Sequence, residues 1–305
     1  MKLIIEKYIG KEAFEEKFQK ISGNKEFEEV FTFFLVNFLT ELEEDNAIEE
    51  DDTPATLLDI PNDYIDCYIE NRKNGFSKVW SKTQAELKIM RDLNNTVIRC
   101  YEEVASSDKH EALKDLQVFC KLKNGDKRYT DFLIDYVINN GYSERPVEEI
   151  AADFSRTYRK QLEKGKSEIY ADKYASLIAE DYYHEIYCED YAFIYDQALT
   201  KGKSEEYAKR YAEKYASELV DVKRRAGIAD DEESLEFAKA KAKAYINGWE
   251  YATTNSIQEK SGFIDCYSNC YLNTFFSDNI NEWSSIEQCE EIVLRKTLEK
   301  FESAC

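Results

Sequence analysis

Apolar side chains recur along this chain at spacings of three and four. Tyr170, Tyr174 and Leu177 follow that rule, then Tyr187, Tyr191, Ile194 and Ala198, then Tyr207 and Tyr211 beside Ala208 and Ala212. Residues so spaced share one face of an α-helix, which has about 3.6 residues per turn. The segment Val30 to Leu39 is denser in Phe, Leu and Val. Its length and its Thr32 and Asn37 rule out a membrane span, so it predicts a buried core helix. Helices are expected over 11–44 (one or two), 63–73, 77–105, 111–122, 131–139, 144–164, 167–200, 204–225, 232–258, 266–276 and 279–304. Residues 167–200 contain neither Gly nor Pro. As one helix they would run roughly 50 Å at about 1.5 Å per residue.

A short phrase punctuates these helices. It reads Gly165-Lys166-Ser167-Glu168-Ile169-Tyr170-Ala171, and again Gly202-Lys203-Ser204-Glu205-Glu206-Tyr207-Ala208, 37 residues on. A fixed offset of that size marks a helical repeat array. Weaker copies begin at Gly75-Phe76-Ser77 and Gly141-Tyr142-Ser143. Glycine tolerates the left-handed conformation that ends a helix. Serine then accepts a bond from the free N–H groups opening the next one. Pro146 fits only in a first turn, so the copy at Gly141 opens a helix. Gly-Lys-Ser does not signal a phosphate-binding loop here. That loop needs another glycine five residues earlier, where this chain has Lys160 and Gln197.

The fold expected is all-α, an irregular array of antiparallel helical hairpins, either solenoid-like or a multi-helix bundle. Asn124-Gly125 suits a tight turn, either in one small β-hairpin or as a helix-ending glycine. Residues 1–52 read as an N-terminal helical segment ending in an acidic loop. Residues 53–305 read as the helical-repeat body, with a division offered near 141. Only 3 Pro and 10 Gly support long regular elements. Tyr beside Ala on a helix face suits helix–helix packing first, and a partner-binding aromatic face second.

Charge narrows the function. The chain carries 62 acidic and 41 basic residues, a net charge of −21. Phosphate contacts need clustered Lys and Arg, so direct nucleic-acid binding is not expected, nor is an anionic membrane surface. An acidic surface favours solubility and attracts basic partners. The run from Glu41 to Asp52 is its densest stretch, and Glu49, Glu50, Asp51 and Asp52 are expected on an exposed loop. The N-terminal apolar run is too short for a signal peptide, and the expected compartment is cytoplasmic. Eight scattered cysteines without a Cys-x-x-Cys pair read as buried free thiols.

Candidate chemistry is sparse. There are two histidines, His110 and His184. On a helix, Asp181, His184, Glu185 and Cys188 would cluster, the best metal-ligand set in the chain. It lacks the second Glu-x-x-His of a di-metal bundle and the second His of His-Glu-x-x-His. No nucleophile elbow is present. The sequence therefore predicts no enzyme, no cofactor and no metal. It predicts a protein-binding module, most concretely an acidic antagonist of a partner with a basic surface. The candidate contacts are Glu49, Glu50, Asp51 and Asp52 with Tyr170, Tyr174, Tyr207 and Tyr211. A self-assembling scaffold, with homo-oligomers, is the alternative. A metal-dependent helical-bundle enzyme built on the His184 cluster ranks third.

Overall fold

The computed structural model describes residues 2–45, 47–49, 52–91, 95–123, 125–140, 143, 145–180, 185–225, 232–276 and 286–304. Among them are fifteen helices and no strand. The chain divides into two compact units, Met1–Ala152 and Asp153–Cys305. The first contains α1 (Lys2–Tyr8), α2 (Lys11–Ile21), α3 (Lys25–Glu44), α4 (Pro54–Asn74), α5 (Lys78–Ile89), α6 (Thr96–Ala105), α7 (Lys109–Leu122) and α8 (Lys127–Asn140). The division falls inside α9 (Val147–Glu163). The second contains α10 (Glu168–Ala179), α11 (Glu185–Thr200), α12 (Glu205–Arg225), α13 (Glu232–Thr254), α14 (Lys260–Phe275) and α15 (Ile286–Ala304). Among the described residues no helix is long and apolar enough to cross a membrane.

The Gly-x-Ser phrase builds the same turn three times. Gly75, Gly165 and Gly202 have φ of 97°, 76° and 77°, the left-handed region. Each glycine N–H donates three residues back: Gly75 to Arg72, Gly165 to Leu162 and Gly202 to Leu199. The next N–H donates five residues back: Phe76 to Asn71, Lys166 to Gln161 and Lys203 to Ala198. This pair of bonds satisfies the last free carbonyls of a helix. The serine hydroxyl then accepts the N–H three residues on, from Trp80 at 3.2 Å, Tyr170 at 3.0 Å and Tyr207 at 3.2 Å. In the two Gly-Lys-Ser copies the lysine folds over the ring that follows. Lys166 Nζ lies 4.8 Å from the centre of Tyr170, and Lys203 Nζ lies 4.6 Å from that of Tyr207. The lysine thus takes part in a cation–π contact.

Small residues follow the cap on the buried face. Ser81 and Ala85, Ala171 and Ala175, and Ala208 and Ala212 are all fully buried. Helix separation depends on the side chains at the contact, so these positions allow close approach. In the second unit the packing is sequential: α10 on α11, α11 on α12, α12 on α13, α13 on α14 and α14 on α15. Tyr191, Ile194 and Tyr195 meet Ala208, Ala212 and Ala216 in one of its cores. In the first unit one core joins Phe31, Leu35 and Leu39 of α3 to Leu58, Tyr64 and Ile65 of α4. A second gathers Trp80, Val97, Leu116, Leu133 and Val147.

Three expectations are corrected. Among the described residues no strand flanks Asn124-Gly125, since α7 ends at Leu122 and α8 begins at Lys127. Asn124 lies outside the described residues, and Gly125 donates its N–H to Cys120 O at 3.2 Å, beyond the end of α7. A Cβ on Gly125 would clash with the ring of the buried Tyr129. Of the two readings offered, the helix-ending one agrees with the five-back bond to Cys120, and the Tyr129 ring leaves no room for a side chain. Residues 167–200 do not form one helix, since α10 ends at Ala179 and α11 begins at Glu185. Ser143 is not the cap of α9. Its hydroxyl accepts the Arg145 N–H, and its own N–H donates to Asn95. Pro146 supplies the first carbonyl of α9, accepting from Glu149 and Ile150. Gly141 lies outside the described residues.

Candidate functional site

The acidic run begins as helix. Glu41, Glu43 and Glu44 occupy the last turn of α3, which holds no basic residue. The C-terminal end of a helix is the negative end of its dipole, so carboxylates there oppose the helix. One of them is compensated: Lys7 pairs with Glu43, and Tyr8 Oη donates to it at 2.9 Å. Those two bonds, Lys7 first, hold the Glu43 carboxyl below its ordinary range. Glu41, Glu44, Asp45 and Glu49 are exposed. Asp52 is half-buried and does not behave as free loop charge. It accepts the Glu49 N–H at 2.9 Å and closes a turn ahead of the Thr53 cap of α4. Glu50 and Asp51 lie outside the described residues.

The four predicted contact tyrosines fall into two pairs. Tyr170 and Tyr174 are buried, with ring centres 5.9 Å apart. Burial pushes the Tyr170 hydroxyl up to about 12, with Glu189 and Asp190 adding to the shift. Tyr174 Oη donates to Glu185 at 3.2 Å. Tyr207 and Tyr211 are half-buried, and Tyr207 meets Trp249 edge-on at 6.4 Å. All four therefore pack against other helices of the second unit.

The opposite face of α11 is different. The helix reads EIYCEDYAFIYDQALT, with four carboxylates and no base. Glu185, Glu189 and Phe193, spaced by four, are exposed along one line. Phe193 is 45 % exposed, an aromatic ring standing among carboxylates. Asp196, one turn further, accepts the Ser167 hydroxyl at 2.7 Å and so ties α11 to the cap of α10. Sequence reasoning followed the Tyr187–Tyr191–Ile194–Ala198 stripe and missed Phe193. The signal was its phase: it is a large apolar residue on the polar side of that stripe.

The weak metal set is not assembled by the described residues. Glu185 is exposed, whereas Cys188 is fully buried with its thiol pushed up to about 12 by desolvation. Asp181 and His184 lie outside the described residues. Among the described residues no three His, Cys, Asp or Glu side chains are placed to share a metal ion. His110 is exposed in the first turn of α7, where its N–H donates to Asp108.

No protein-family model matches this chain, and neither the curated proteins nor the solved structures contain a match to it.

Proposed function

We propose that this protein is a non-catalytic protein-binding module, most concretely an acidic antagonist that occupies a basic surface on its partner. The carrying observation is the exposed face of α11, where Glu185, Glu189 and Phe193 line up on a helix without a single base. Exposed aromatic rings are frequent binding anchors. Carboxylates around such a ring steer a basic partner and speed its association. The last turn of α3 supports the same reading. Its Glu41 and Glu44 oppose the helix dipole, a local cost with no return inside the fold. The compartment that goes with this reading is the cytoplasm.

The scaffold alternative rested on Tyr/Ala faces free for assembly. Tyr170 and Tyr174 are packed within the chain's own core, which leaves that alternative with fewer faces. A monomer by light scattering favours the antagonist, and a large closed or filamentous assembly favours the scaffold.

The test is capture from the native source, identification by mass spectrometry, and association kinetics with the purified partner. The expected partner has a basic surface. Its association should slow as salt rises, because the Debye length is about 10 Å at 0.1 M. Glu189→Lys should slow it further, and Phe193→Ala should speed dissociation. A partner whose binding ignores salt and both substitutions overturns the proposal.

A further inference from the structure

Cys266 and Cys270 stand one turn apart on α14, on the side that packs against α15. Cys266 Sγ lies 3.9 Å from the Thr297 carbonyl oxygen of α15. Cys270 belongs to the core that holds Phe263, Tyr271 and Val293. The Cys270 thiol is within hydrogen-bonding reach of the Cys266 thiol. Burial first, and then Cys270, push the Cys266 thiol up, while the Lys300 ammonium of α15 opposes them. Cys266 is half-buried and Cys270 is 3 % exposed, so the pair is open on the Cys266 side only.

The spacing decides what such a dithiol can do. Residues four apart on a helix have Cβ atoms about 5–6 Å apart. A disulfide needs about 3.5–4.5 Å. Joining the two sulfurs would therefore distort α14 where it is packed. A metal ion spans the wider gap, because it inserts two bonds of about 2.3 Å, the length of a zinc–thiolate bond. Thiolates are soft ligands that select Cu(I), zinc or iron–sulfur clusters. A structural zinc takes four ligands, and a cluster takes four cysteines. Among the described residues no three Cys, His, Asp or Glu side chains are placed to share an ion. Cu(I), with a filled d shell, is satisfied by two thiolates.

We infer that Cys266 and Cys270 form a two-coordinate site for one Cu(I) ion. The ion enters at Cys266, and the Cys270 sulfur completes the pair from the core side. Two S–H bonds break, two Cu–S bonds form and two protons leave to solvent, as thiolate ligation requires. No electron is transferred. The product carries one negative charge, and Lys300 is the cation that already acts on Cys266. The inference is independent of the acidic face of α11, and either can fail alone.

The test is anaerobic titration of the full, reduced chain with Cu(I) against bicinchoninate, whose coloured complex reports the Cu(I) left outside the protein. The wild type should withdraw a first equivalent, one Cu(I) per chain. With that equivalent bound, native-state alkylation of Cys266 should slow at least tenfold, and Zn(II) at the same concentration should not protect it. Cys266→Ser and Cys270→Ala should each weaken the first equivalent tenfold or more, whereas Cys67→Ala should leave it unchanged. If Cys270→Ala loses its helical circular dichroism, Cys266→Ser at the half-buried position decides alone. Failure of the wild type to withdraw Cu(I) overturns the inference. So does a first equivalent that survives Cys266→Ser, or one that leaves Cys266 open to alkylation. Equal protection by Zn(II) overturns the two-coordinate assignment.

Discussion

Asp115 accepts two bonds from Ser77, from its backbone N–H at 2.8 Å and from its hydroxyl at 2.5 Å, across 38 positions of sequence. Both residues are buried. The same Ser77 hydroxyl caps α5 by accepting from Trp80. One carboxylate from α7 therefore orients the serine that starts α5. Ser167 repeats the arrangement with Asp196, at 2.7 Å.

Removing the Asp115 carboxylate should destabilise the first unit. Asp115→Ala leaves a buried N–H without its acceptor, which costs about 1–3 kcal/mol. Asp115→Asn keeps an acceptor and should cost less. Burial raises the Asp115 carboxyl above its ordinary value, and the Ser77 bonds only partly oppose this. A raised folded pKa gives stability that is full below the unfolded value and is lost as pH rises through the folded one. Asn does not titrate. Urea unfolding should therefore show Asp115→Asn gaining on the wild type between pH 4 and pH 7. An unchanged gap would remove the titration argument.

The turn at Gly202 should be strict in backbone and tolerant in space. A Cβ there meets nothing within 4 Å, but φ is +77°. Gly202→Ala should thus cost about 1 kcal/mol through conformation alone. Ser204→Ala should cost about 1 kcal/mol through the lost cap. Gly202→Asn should be milder, since Asn visits the left-handed region more readily. Chemical denaturation of the three variants checks the order, and a stabilising Gly202→Ala would contradict it.

Glu26 links α3 to α4 and α5. It accepts from Arg72 Nε and Tyr68 Oη, both at 2.7 Å. Desolvation raises its carboxyl, but the bonds from Arg72, Tyr68 and Lys78 outweigh burial and hold it below the usual range. A lowered folded pKa gives stability present above the unfolded value and lost as pH falls through the folded one. Glu26→Gln should cost about 2 kcal/mol at pH 7, the scale of a bond to a charged group. The difference from wild type should shrink towards pH 3. A constant difference across that range would show that packing, not charge, sets the cost.

Thiol reactivity should be ordered by burial. Cys67, Cys100, Cys120, Cys188 and Cys270 are buried, and Cys266 is half-buried. Desolvation raises the thiols of Cys100 and Cys188, and the thiolate is the reactive form. Native-state alkylation mapped by mass spectrometry should modify Cys266 first among these six. The others should react only on unfolding. Early modification of Cys188 would show that α11 opens readily.

The end of α3 should trade stability against binding. Glu41→Gln with Glu44→Gln removes two charges from the negative end of the helix. The melting temperature should rise slightly while association with a basic partner slows. A rise without any change in association would assign those charges to solubility alone.

Much of this fold was legible because its signals are local. A glycine that must be left-handed, a serine that caps and an alanine one turn later all act within a dozen residues. The three turns at Gly75, Gly165 and Gly202 could therefore be read from their letters. Gly125 was ambiguous because its reason is the ring of Tyr129 folding back on it, a contact no turn rule contains. Ser143 carried the same letters as Ser204 but caps nothing in α9. Asn95, distant in sequence, takes its N–H.

The candidate contacts divide along the same line. The sequence by itself determined the charge, the helical periods and which faces are apolar, because those follow from side-chain chemistry and 3.6-residue geometry. It could not determine which tyrosines a neighbouring helix would cover. Tertiary packing buried Tyr170 and Tyr174 and left Phe193 standing among carboxylates. Exposure and proximity are properties of pairs of helices, set by the surface one helix removes from water on another. No single helix carries that information in its own sequence.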